Sequence, residues 1–374
     1  MIQPIKPERF PWFRYDTYTF SLGLTDGEAA WLSGHSASEY DPDAGRIVVR
    51  GGMGRQSRTA YQKIEAILAA AGFSFADVTK VVENVTVAGL ADYPEAEAVR
   101  RSTFDGHEPA VATVVVERLL RPAALIEIEV HAGHGGGGEV ALPTIIPVDE
   151  RGEVVHEGDF VGQYAWCLDR ADTLLRAAGL SLDAAVTTYD FSTPATRHAY
   201  PKAGRVRRER LGGAGVYPAA GGILMSRLHR PGVLVALDVT ASRHPLRAVN
   251  PGWERYDTLT YTPGVRAGRM LYLSGFAALD MDTQQALHPG DVVAQAEVVY
   301  EAIQQVLAAA GASRRHLLGT VEFVCPDGLA AYRGVAGVRE RLLSPPWPAS
   351  TGAICAGLLR PEFLIEVFPV AVVD

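Results

Sequence analysis

The stretch QALHPGDVVAQAEVVYEAIQQVLAAAGA, residues 285–312, decides the fold because two other stretches of the chain share its order of signals. They are GRIVVRGGMGRQSRTAYQKIEAILAAAGF at 45–73 and GEVVHEGDFVGQYAWCLDRADTLLRAAGL at 152–180. Each stretch has a turn with glycine, then a glutamine, an amphipathic run and a closing Ala-Gly pair. A repeated order of this kind predicts tandem copies of one structural unit.

The spacing of independent landmarks supports the repeat. The three glutamines are separated by 107 and 132 residues, and so are the three glycines that close the stretches. These residues are Gln56, Gln163 and Gln295, and Gly72, Gly179 and Gly311. Downstream, each copy has a Pro-Ala pair, a Leu-x-Arg-Pro turn and an apolar strand: ALIEIEV at 124–130, VLVALDV at 233–239 and FLIEVFPV at 363–370. We therefore predict three copies, at 1–135, 136–245 and 246–374.

Local patterns predict the elements of each copy. Apolar residues at helical spacing, such as Tyr61, Ile64 and Leu68, indicate a helix that ends at the closing glycine. Runs rich in β-branched residues, such as VENVTV at 82–87, indicate strands. The order of hairpin, helix, strand, helix, strand and strand predicts an α+β fold with helices on one face of mixed sheets. The middle copy is abbreviated at its front, after a GHGGGG connector at 133–138.

Composition excludes several classes of protein. The 374 residues are 48% hydrophobic and 21% charged, which is typical of a globular protein. The net charge of −8 argues against nucleic-acid binding, and no apolar run reaches the roughly 18 residues of a membrane span. The N-terminal sequence lacks the order of a signal peptide, so we expect a cytoplasmic protein. The cysteines are few and widely spaced, and the histidines form no ligand pattern, so we predict no disulfide framework, no metal and no cofactor.

The strings LYLSGFAALD at 271–280, HPGDVVAQ at 288–295 and LLRPEFLIEV at 358–367 resemble the RidA/YjgF superfamily, and the first copy shows the same pattern. Members of that family are single units that form trimers with ligand clefts between subunits. The resemblance implies an intramolecular pseudotrimer with three non-equivalent clefts and a small-molecule substrate. It implies either a monomer or a higher homo-oligomer. The HPGDVVAQ string and the spacing from Cys355 to Glu366 are also similar to the chorismatase branch of the superfamily.

The substrate-binding arginine of the family is absent from all three copies. In RidA-type enamine/imine deaminases this arginine directly follows Pro-Ala and binds the substrate carboxylate, a task that suits its guanidinium fork. The matching residues in this chain are Val111, Ala220 and Ser350. Hydrolysis of generic 2-imino acids in the usual way is therefore not expected.

The acidic residue of the last strand is retained in two copies. The matching positions are Glu127, Ala236 and Glu366. In the family this carboxylate faces the cleft and activates or positions water, and burial in an apolar strand raises the pKa of a carboxyl group, as a general acid/base requires. We therefore predict that Glu366 and Glu127 are catalytic, and we favour Glu366. The alternative is a structural glutamate that is solvated or paired with an arginine.

Other candidate residues lie mostly in the last copy. The family's hairpin tyrosine matches Tyr261, whereas the first copy has Phe20 there. Ser274 lies in the Leu-Ser-Gly turn that borders the cleft, Ser350 takes the arginine position, and Cys355 lies on the strand opposite the catalytic glutamate. We predict that these four residues of the last copy bind substrate. The alternatives are turn chemistry for the Ser-Gly pair and a small buried hydrophobic role for the cysteine.

Two other signals are interpreted as structural. His131 and His134 precede a glycine run that matches no phosphate-binding loop, so we interpret that run as a linker. The basic string GRVRRERL at 204–211 is interpreted as the outer face of the middle copy's second helix, and it is weak support for RNA binding. Its Arg208 and Arg210 are alternatives for the missing cation.

Three functions are considered. The first is an enzyme of a dedicated pathway, such as natural-product metabolism, that hydrolyses or (de)hydrates an imine- or enamine-like metabolite with Glu366 as general acid/base. The second is a chorismatase-like hydrolase that releases pyruvate from chorismate. The third is a ligand-binding protein that retains the fold without catalysis. Fold similarity alone does not choose among them, and we favour the first.

Overall fold

The computed structural model describes residues 2–134 and 138–373, so positions 135–137 of the predicted connector lie outside the described residues. The chain divides into two compact units. Unit 1 comprises Met1–Gly137, Leu318–Val321 and Ser344–Ile354, and unit 2 comprises Gly138–Leu317, Glu322–Leu343 and Cys355–Asp374. The boundaries of the three copies stay a prediction.

Six α-helices occur in the described residues, two in each predicted copy. They are α1 (Met53–Ala70), α2 (Tyr93–Phe104), α3 (Phe160–Ala177), α4 (Tyr200–Arg210), α5 (Val292–Ala309) and α6 (Val335–Leu342). The predicted apolar face of α1 is buried, including Ile64, Ile67 and Leu68. Burial of each such side chain contributes about 1.5–3 kcal/mol. None of the helices described is both long enough and apolar enough to cross a membrane.

The ends of the first helix in each copy follow the sequence signals. Gly72, Gly179 and Gly311 lie just beyond α1, α3 and α5 with φ of +81°, +75° and +76°, a left-handed conformation that glycine adopts without steric cost. At the other end, Asp159 and Asp291 each accept a hydrogen bond of 3.0 Å from a first-turn amide of α3 and α5. Such a cap contributes about 1 kcal/mol to helix stability.

The strands are short and numerous. They are β1 (Gln3–Pro4), β2 (Gly23–Thr25), β3 (Ala29–Leu32), β4 (Ser38–Asp41), β5 (Arg46–Val49), β6 (Val78–Thr86), β7 (Ala110–Val116), β8 (Arg118–Leu119), β9 (Ile126–Gly133), β10 (Glu139–Ala141), β11 (Ala185–Ser192), β12 (Ala219–Leu224), β13 (Val235–Ser242), β14 (Leu246–Val249), β15 (Gly264–Ala267), β16 (Met270–Leu273), β17 (Leu317–Val324), β18 (Ala349–Ile354), β19 (Gly357–Leu358) and β20 (Ile365–Val372).

The sheets have mixed strand directions. Unit 1 contains a sheet in the order β1-β2-β3-β9-β6-β7, in which β6 is parallel to β7 and antiparallel to β9. In unit 2 the middle copy's strands have the order β10-β13-β11-β12, with β11 parallel to β12 and antiparallel to β13, and β19 of the last copy pairs with β12. The last copy contributes the antiparallel series β14-β15-β16-β20. Because α1 packs on β9, α3 on β13 and α5 on β20, the predicted α+β class is confirmed.

The repeated glutamines make the same contacts in every copy. Each is buried near the start of its helix and connects that helix to the turn before the last strand. The amide groups of Gln56, Gln163 and Gln295 donate to the carbonyl oxygens of Ala123, Gly232 and Glu362 at 3.1, 2.8 and 2.8 Å. Their side-chain oxygens accept from the backbone of Leu125, Leu234 and Leu364 at 2.8, 2.7 and 2.7 Å. This satisfied buried amide explains why glutamine recurs at a constant spacing.

Candidate functional site

Strand β20 places Glu366 in a buried site of unit 2, where the side chain is 8% exposed. Phe276 and Val367 exchange two backbone hydrogen bonds of 2.9 and 3.0 Å, and this pairing brings Gly275 against Glu366. A side-chain carbon at Gly275 would overlap Oε1 of Glu366 and lie 2.9 Å from the ring of Phe368. Glycine at this position is therefore what allows the carboxyl group to lie there.

A cluster of aromatic rings lies on one side of this carboxyl group. The ring of Phe368, two residues along β20 and on the same face as Glu366, lies 4.6 Å from the ring of Tyr189 and 5.6 Å from that of Phe323, both in edge-on geometry. The Tyr189 hydroxyl donates to the carbonyl oxygen of Leu273 at 2.8 Å, which fixes that ring. The result is an apolar wall on one side of the acid.

The Glu366 carboxyl group has an unusual protonation equilibrium. Its pKa is raised to about 8, mainly by burial and also by the negative charges of Asp190 and Cys325. Within residues 2–134 and 138–373, no group donates a hydrogen bond that would stabilise the carboxylate. The group is therefore mostly protonated at neutral pH. A carboxyl group in this state can donate a proton and then accept one.

The structure places three other predicted residues of the last copy, Tyr261, Ser274 and the fully buried Cys355, in unit 2. Tyr261 packs edge-on against Tyr256, with ring centroids 5.5 Å apart. The Ser274 hydroxyl is fully buried, donates to the carbonyl of Thr262 at 2.5 Å and accepts from the amide of Ala220 at 2.9 Å. Its backbone partners explain the Ser-Gly turn in structural terms. Substrate contact by Tyr261 and Ser274 stays a prediction.

A second, related site lies in unit 1 around Glu127. His35 and Ile128 exchange two backbone hydrogen bonds of 2.8 and 3.0 Å, as Phe276 and Val367 do. A side-chain carbon at Gly34 would lie 2.5 Å from Oε1 of Glu127. The amide of Ser350 donates to the Ser33 hydroxyl at 2.8 Å, so the predicted residue Ser350 belongs with Glu127 in unit 1.

The charges of the unit 1 site differ from those around Glu366. Burial and the neighbouring Glu129 raise the pKa of Glu127 to about 7. Burial would also raise the pKa of Glu129, but hydrogen bonds from His131 and Thr351 hold it below its ordinary value. Burial lowers the pKa of Lys63 to about 7, although its ammonium group donates to two backbone carbonyls. Unit 1 thus offers two carboxyl groups where unit 2 has one carboxyl group and the Phe368 ring.

A buried network of two tyrosines, a carboxylate and an arginine occurs in all three copies. Its members are Tyr61, Glu83, Tyr93 and Arg100; Tyr164, Asp190, Tyr200 and Arg207; and Tyr300, Glu322, Tyr332 and Arg339. The carboxylate, second tyrosine and arginine are separated by 10 and 7 residues in each copy. This spacing is a signal by which sequence reasoning could have found the network, and did not.

The middle copy's network differs because its carboxylate is an aspartate. In the last copy, Arg339 donates to Glu322 through two atoms, at 2.9 and 2.6 Å. Asp190 is one carbon shorter, and its buried Oδ1 has no hydrogen-bond partner among the described residues. Arg207 instead donates to the hydroxyl and the carbonyl oxygen of Thr260, at 3.3 and 3.1 Å. Arg207 is therefore buried, contrary to the expectation that the whole basic string lies on an outer face.

The structure also shows where the two arginines lie that the sequence offered in place of the missing substrate-binding arginine. Arg210 pairs with Asp169 at 2.6 Å on the helix surface, and Arg208 is exposed. Two other arginines of unit 2, which the sequence analysis did not single out, have a buried Nε with no hydrogen-bond partner in the described part of the chain: Arg197 and Arg255. The guanidinium of Arg255 lies 5.0 Å from the centroid of the Tyr256 ring, and the positive charge of Arg197 acts on Cys325.

One large cavity does not coincide with either carboxyl site. It has a volume of about 650 Å³ and opens between α1 and α2 of unit 1, lined in part by Arg58, Glu65, Phe75 and Glu95. No predicted site residue lines it. Its position over the helices separates it from the strand glutamates.

A sequence model of the family described as Endoribonuclease L-PSP matches residues 16–134 and 256–373, which is more than half of the chain. The chain belongs to this family. The two matched stretches fall within the first and last predicted copies, and the Endoribonuclease L-PSP family is the RidA/YjgF superfamily of the sequence analysis. The resemblance inferred from the strand and turn motifs is thereby confirmed.

Two curated members of the Endoribonuclease L-PSP family have sequences similar to this chain. The 3-aminoacrylate deaminase RutC of Acinetobacter baylyi is 31% identical over 30% of this chain and 85% of its own length. A RutC family protein of Pyrococcus horikoshii is 39% identical over 29% of this chain and 82% of its own length. Each relative therefore corresponds to about one copy.

A solved structure extends the likeness over most of the chain. A chorismatase is similar with a TM-score of 0.52, covering 79% of this chain and 93% of its own, at 15% sequence identity. At this identity the likeness concerns the fold alone. It agrees with a family unit repeated along the chain.

Proposed function

We propose that this protein is a small-molecule enzyme that adds water to, or removes it from, an imine- or enamine-like carbon, with Glu366 as general acid/base. The observation that carries the proposal is the position of the Glu366 carboxyl group, which is buried against Gly275 on the same strand face as the Phe368 ring. The raised pKa of this group supports the same role, because a proton donor must hold its proton at the working pH.

The proposed steps follow from the two protonation states of Glu366. With an enamine, the protonated carboxyl group donates its proton to the carbon of the double bond, and an iminium ion forms. The resulting carboxylate removes a proton from water, whose oxygen bonds to the iminium carbon. The carboxyl group, protonated again by this step, gives its proton to the nitrogen; the carbon–nitrogen bond breaks, the amine leaves, and the hydroxyl proton returns to the carboxylate as the carbonyl product forms. The aromatic wall suits a flat, conjugated substrate and limits the access of further water.

A relative supports this reaction class. RutC is named a 3-aminoacrylate deaminase, and an aminoacrylate is an enamine. Because Val111, Ala220 and Ser350 occupy the arginine positions, we propose a dedicated substrate rather than generic 2-imino acids. Cytoplasmic location and a role in a natural-product pathway belong to the same proposal.

The test compares turnover by the full chain and its isosteric variants. Mass spectrometry follows a panel of freshly generated imino acids, enamines including 3-aminoacrylate, and chorismate. We expect Glu366→Gln to lower kcat by about 100-fold or more, the usual contribution of a general acid/base. The matched variant Glu301→Gln, at an exposed position on α5, should retain full activity.

Each other outcome contradicts the assignment in a defined way. Loss of turnover in Glu127→Gln, with Glu366→Gln active, would move the reaction to unit 1. Binding of a panel compound without turnover by the wild type would favour a non-catalytic ligand-binding protein. In both cases the role proposed for Glu366 would be withdrawn.

A second candidate function is favoured by the two arginines of unit 2. Chorismate carries two carboxylates, and Arg197 and Arg255 of unit 2 each have a buried Nε that has no hydrogen-bond partner within residues 2–134 and 138–373. Protonation of the enol-ether carbon by Glu366 and addition of water would give a hemiketal, whose carbon–oxygen bond to the ring then breaks and releases pyruvate and a ring alcohol. For this reaction we expect pyruvate from chorismate, and a KM raised about 10-fold or more in Arg197→Gln or Arg255→Gln. Release of ammonia from an imine, with no pyruvate from chorismate, would exclude it.

A further inference from the structure

Two cysteines that are 30 residues apart in the sequence meet in unit 2. Cys325 directly follows β17 and Cys355 directly follows β18, and their Sγ atoms are 3.9 Å apart. The amide of Cys355 donates to the carbonyl of Val324 at 3.1 Å, and the amide of Cys325 donates to that of Leu364 at 2.9 Å. Backbone hydrogen bonds therefore hold both cysteines in place, side by side.

This arrangement is compatible with a disulfide without movement of the backbone. Extended segments joined by backbone hydrogen bonds lie about 4.7–4.9 Å apart, and disulfides join Cα atoms about 4.4–6.8 Å apart. The two sulfurs already point toward each other, since each lies within hydrogen-bond distance of the other. Side-chain rotation is the movement that bond formation requires.

The two thiols are chemically unequal. The hydrogen bond from Cys355 lowers the pKa of the Cys325 thiol and raises that of Cys355, and the charge of Arg197 further favours the Cys325 thiolate. Cys325 is 7% exposed and Cys355 is fully buried. The thiolate is the reactive form of cysteine. Cys325 thus has the properties of an attacking thiol, and Cys355 those of a resolving thiol.

Cys167 provides an internal comparison. It is fully buried in α3, where burial raises the pKa of its thiol. Its Sγ lies 3.8 Å from the carbonyl oxygen of Ile145, which leaves it in a backbone contact. Cys167 is therefore at least as deeply buried as Cys325 and Cys355, but its sulfur contacts a backbone carbonyl instead of a second sulfur.

We propose that Cys325 and Cys355 are a redox modification site that a peroxide converts reversibly to a disulfide. The Cys325 thiolate attacks one oxygen of the peroxide, the O–O bond breaks, and a sulfenic acid and water form. The Cys355 sulfur then attacks the Cys325 sulfur and releases a second water. In total, two thiols and one hydrogen peroxide give one disulfide and two waters, and a dithiol reductant reverses the change.

The site adjoins the proposed catalytic carboxyl group without depending on its function. The charge of Cys325 is one of the two that disfavour the Glu366 carboxylate, and a disulfide carries no charge. Oxidation would therefore alter the electrostatic surroundings of Glu366. The chemistry of the pair can be tested whether or not Glu366 is catalytic.

The experiment treats the reduced full chain with an equimolar amount of hydrogen peroxide and measures the intact mass. We expect the mass to fall by two hydrogens and to return after dithiothreitol. Tryptic digestion without reductant should join peptides 316–333 and 342–374, while Cys167 remains free to be alkylated. This peptide map uses the wild-type chain, so it does not depend on the folding of a variant.

Variants assign the two roles. Cys325→Ser and Cys355→Ser should each lose the two-hydrogen change, and Cys167→Ser should keep it. Near-ultraviolet circular dichroism confirms that each variant is folded, with Cys325→Ala and Cys355→Ala as substitutes. The proposal is overturned if peroxide leaves both thiols alkylatable, if Cys325 only gains oxygen atoms, or if the joined peptides include Cys167.

Discussion

Because Glu366 keeps its proton when buried, we predict a pH-dependent stability that can be measured without a substrate. We consider Glu366→Gln, which replaces a carboxyl group by an amide of nearly the same shape. The wild-type carboxyl group resembles this amide as long as it is protonated. The two proteins should therefore have similar free energies of unfolding below pH 4.5, where the carboxyl group is protonated in both states, and the difference should grow as the pH rises.

The size of the difference follows from the pKa in the two states. In the folded protein the pKa of Glu366 is about 8, against an ordinary value of 4.5 in the unfolded chain. Between these values the unfolded chain releases a proton that the folded protein keeps, so the wild type loses about 1.4 kcal/mol of stability for each pH unit. The accumulated loss approaches about 5 kcal/mol above pH 8, a large share of the roughly 5–15 kcal/mol of a typical domain. Glu366→Gln avoids this loss.

Urea unfolding followed by circular dichroism, at several pH values from about 5 to about 8.5, measures the difference. Glu322→Gln is the matched control, because it should lower the free energy of unfolding where Glu366→Gln raises it. Burial alone would raise the pKa of Glu322, but the charge and hydrogen bonds of Arg339 hold it below its ordinary value. This variant should therefore lose about 3–5 kcal/mol throughout the range, because it leaves a buried arginine unpaired.

The reasoning would be refuted by a stability difference between Glu366→Gln and wild type that stays constant from pH 5 to pH 8.5. A variant that becomes less stable than wild type as the pH rises would also refute it, because that sign requires a carboxylate stabilised in the folded state. Neither result depends on knowing the reaction.

Two further predictions concern the surroundings of this site. Gly275→Ala places a carbon against Glu366 and the Phe368 ring. We expect this variant to lose about 1–3 kcal/mol of stability by overpacking and to have lower turnover. Unchanged urea unfolding would show instead that the carboxyl group moves freely. Asp190→Glu adds the carbon that the other two copies have, so we expect Arg207 to turn to the carboxylate and leave Thr260. Hydrogen–deuterium exchange of the 258–262 segment should then rise about 10-fold, since a hydrogen bond to a charged group contributes about 1.5–3 kcal/mol; unchanged exchange would contradict the assigned role of the arginine.

Much of the fold could be predicted because local signals and long-range contacts coincide in this chain. The apolar face of α1, the glycine that ends each first helix and the apolar last strands are all visible as patterns, and the structure confirms them. The strand glutamates could be found because the resemblance to the RidA/YjgF superfamily points to their position on the last strand. Their predicted partners were harder to place, and the structure puts Ser350 with Glu127 in unit 1 and Tyr261 with Glu366 in unit 2.

The rest could not be predicted because it depends on which side chains meet across distant segments. Phe368 is an ordinary apolar strand residue in the sequence, and only the packing of Tyr189 and Phe323 against it makes an aromatic wall. Cys325 and Cys355 looked unrelated, because a separation along the chain says nothing about the distance between two sulfurs.

By itself, the sequence determined the repeated unit, its helices and strands, its family and the two acidic strand positions. Such features are periodic or local, and each copy repeats them, so the three copies are unlike a chance agreement of patterns. The tertiary structure alone decided which side chains surround each acid. A missing methylene at Asp190 redirects Arg207 to Thr260, and a missing Cβ at Gly275 admits the Glu366 carboxyl group. Both outcomes depend on ångström-scale distances between segments, because charge and packing energies change steeply over such distances.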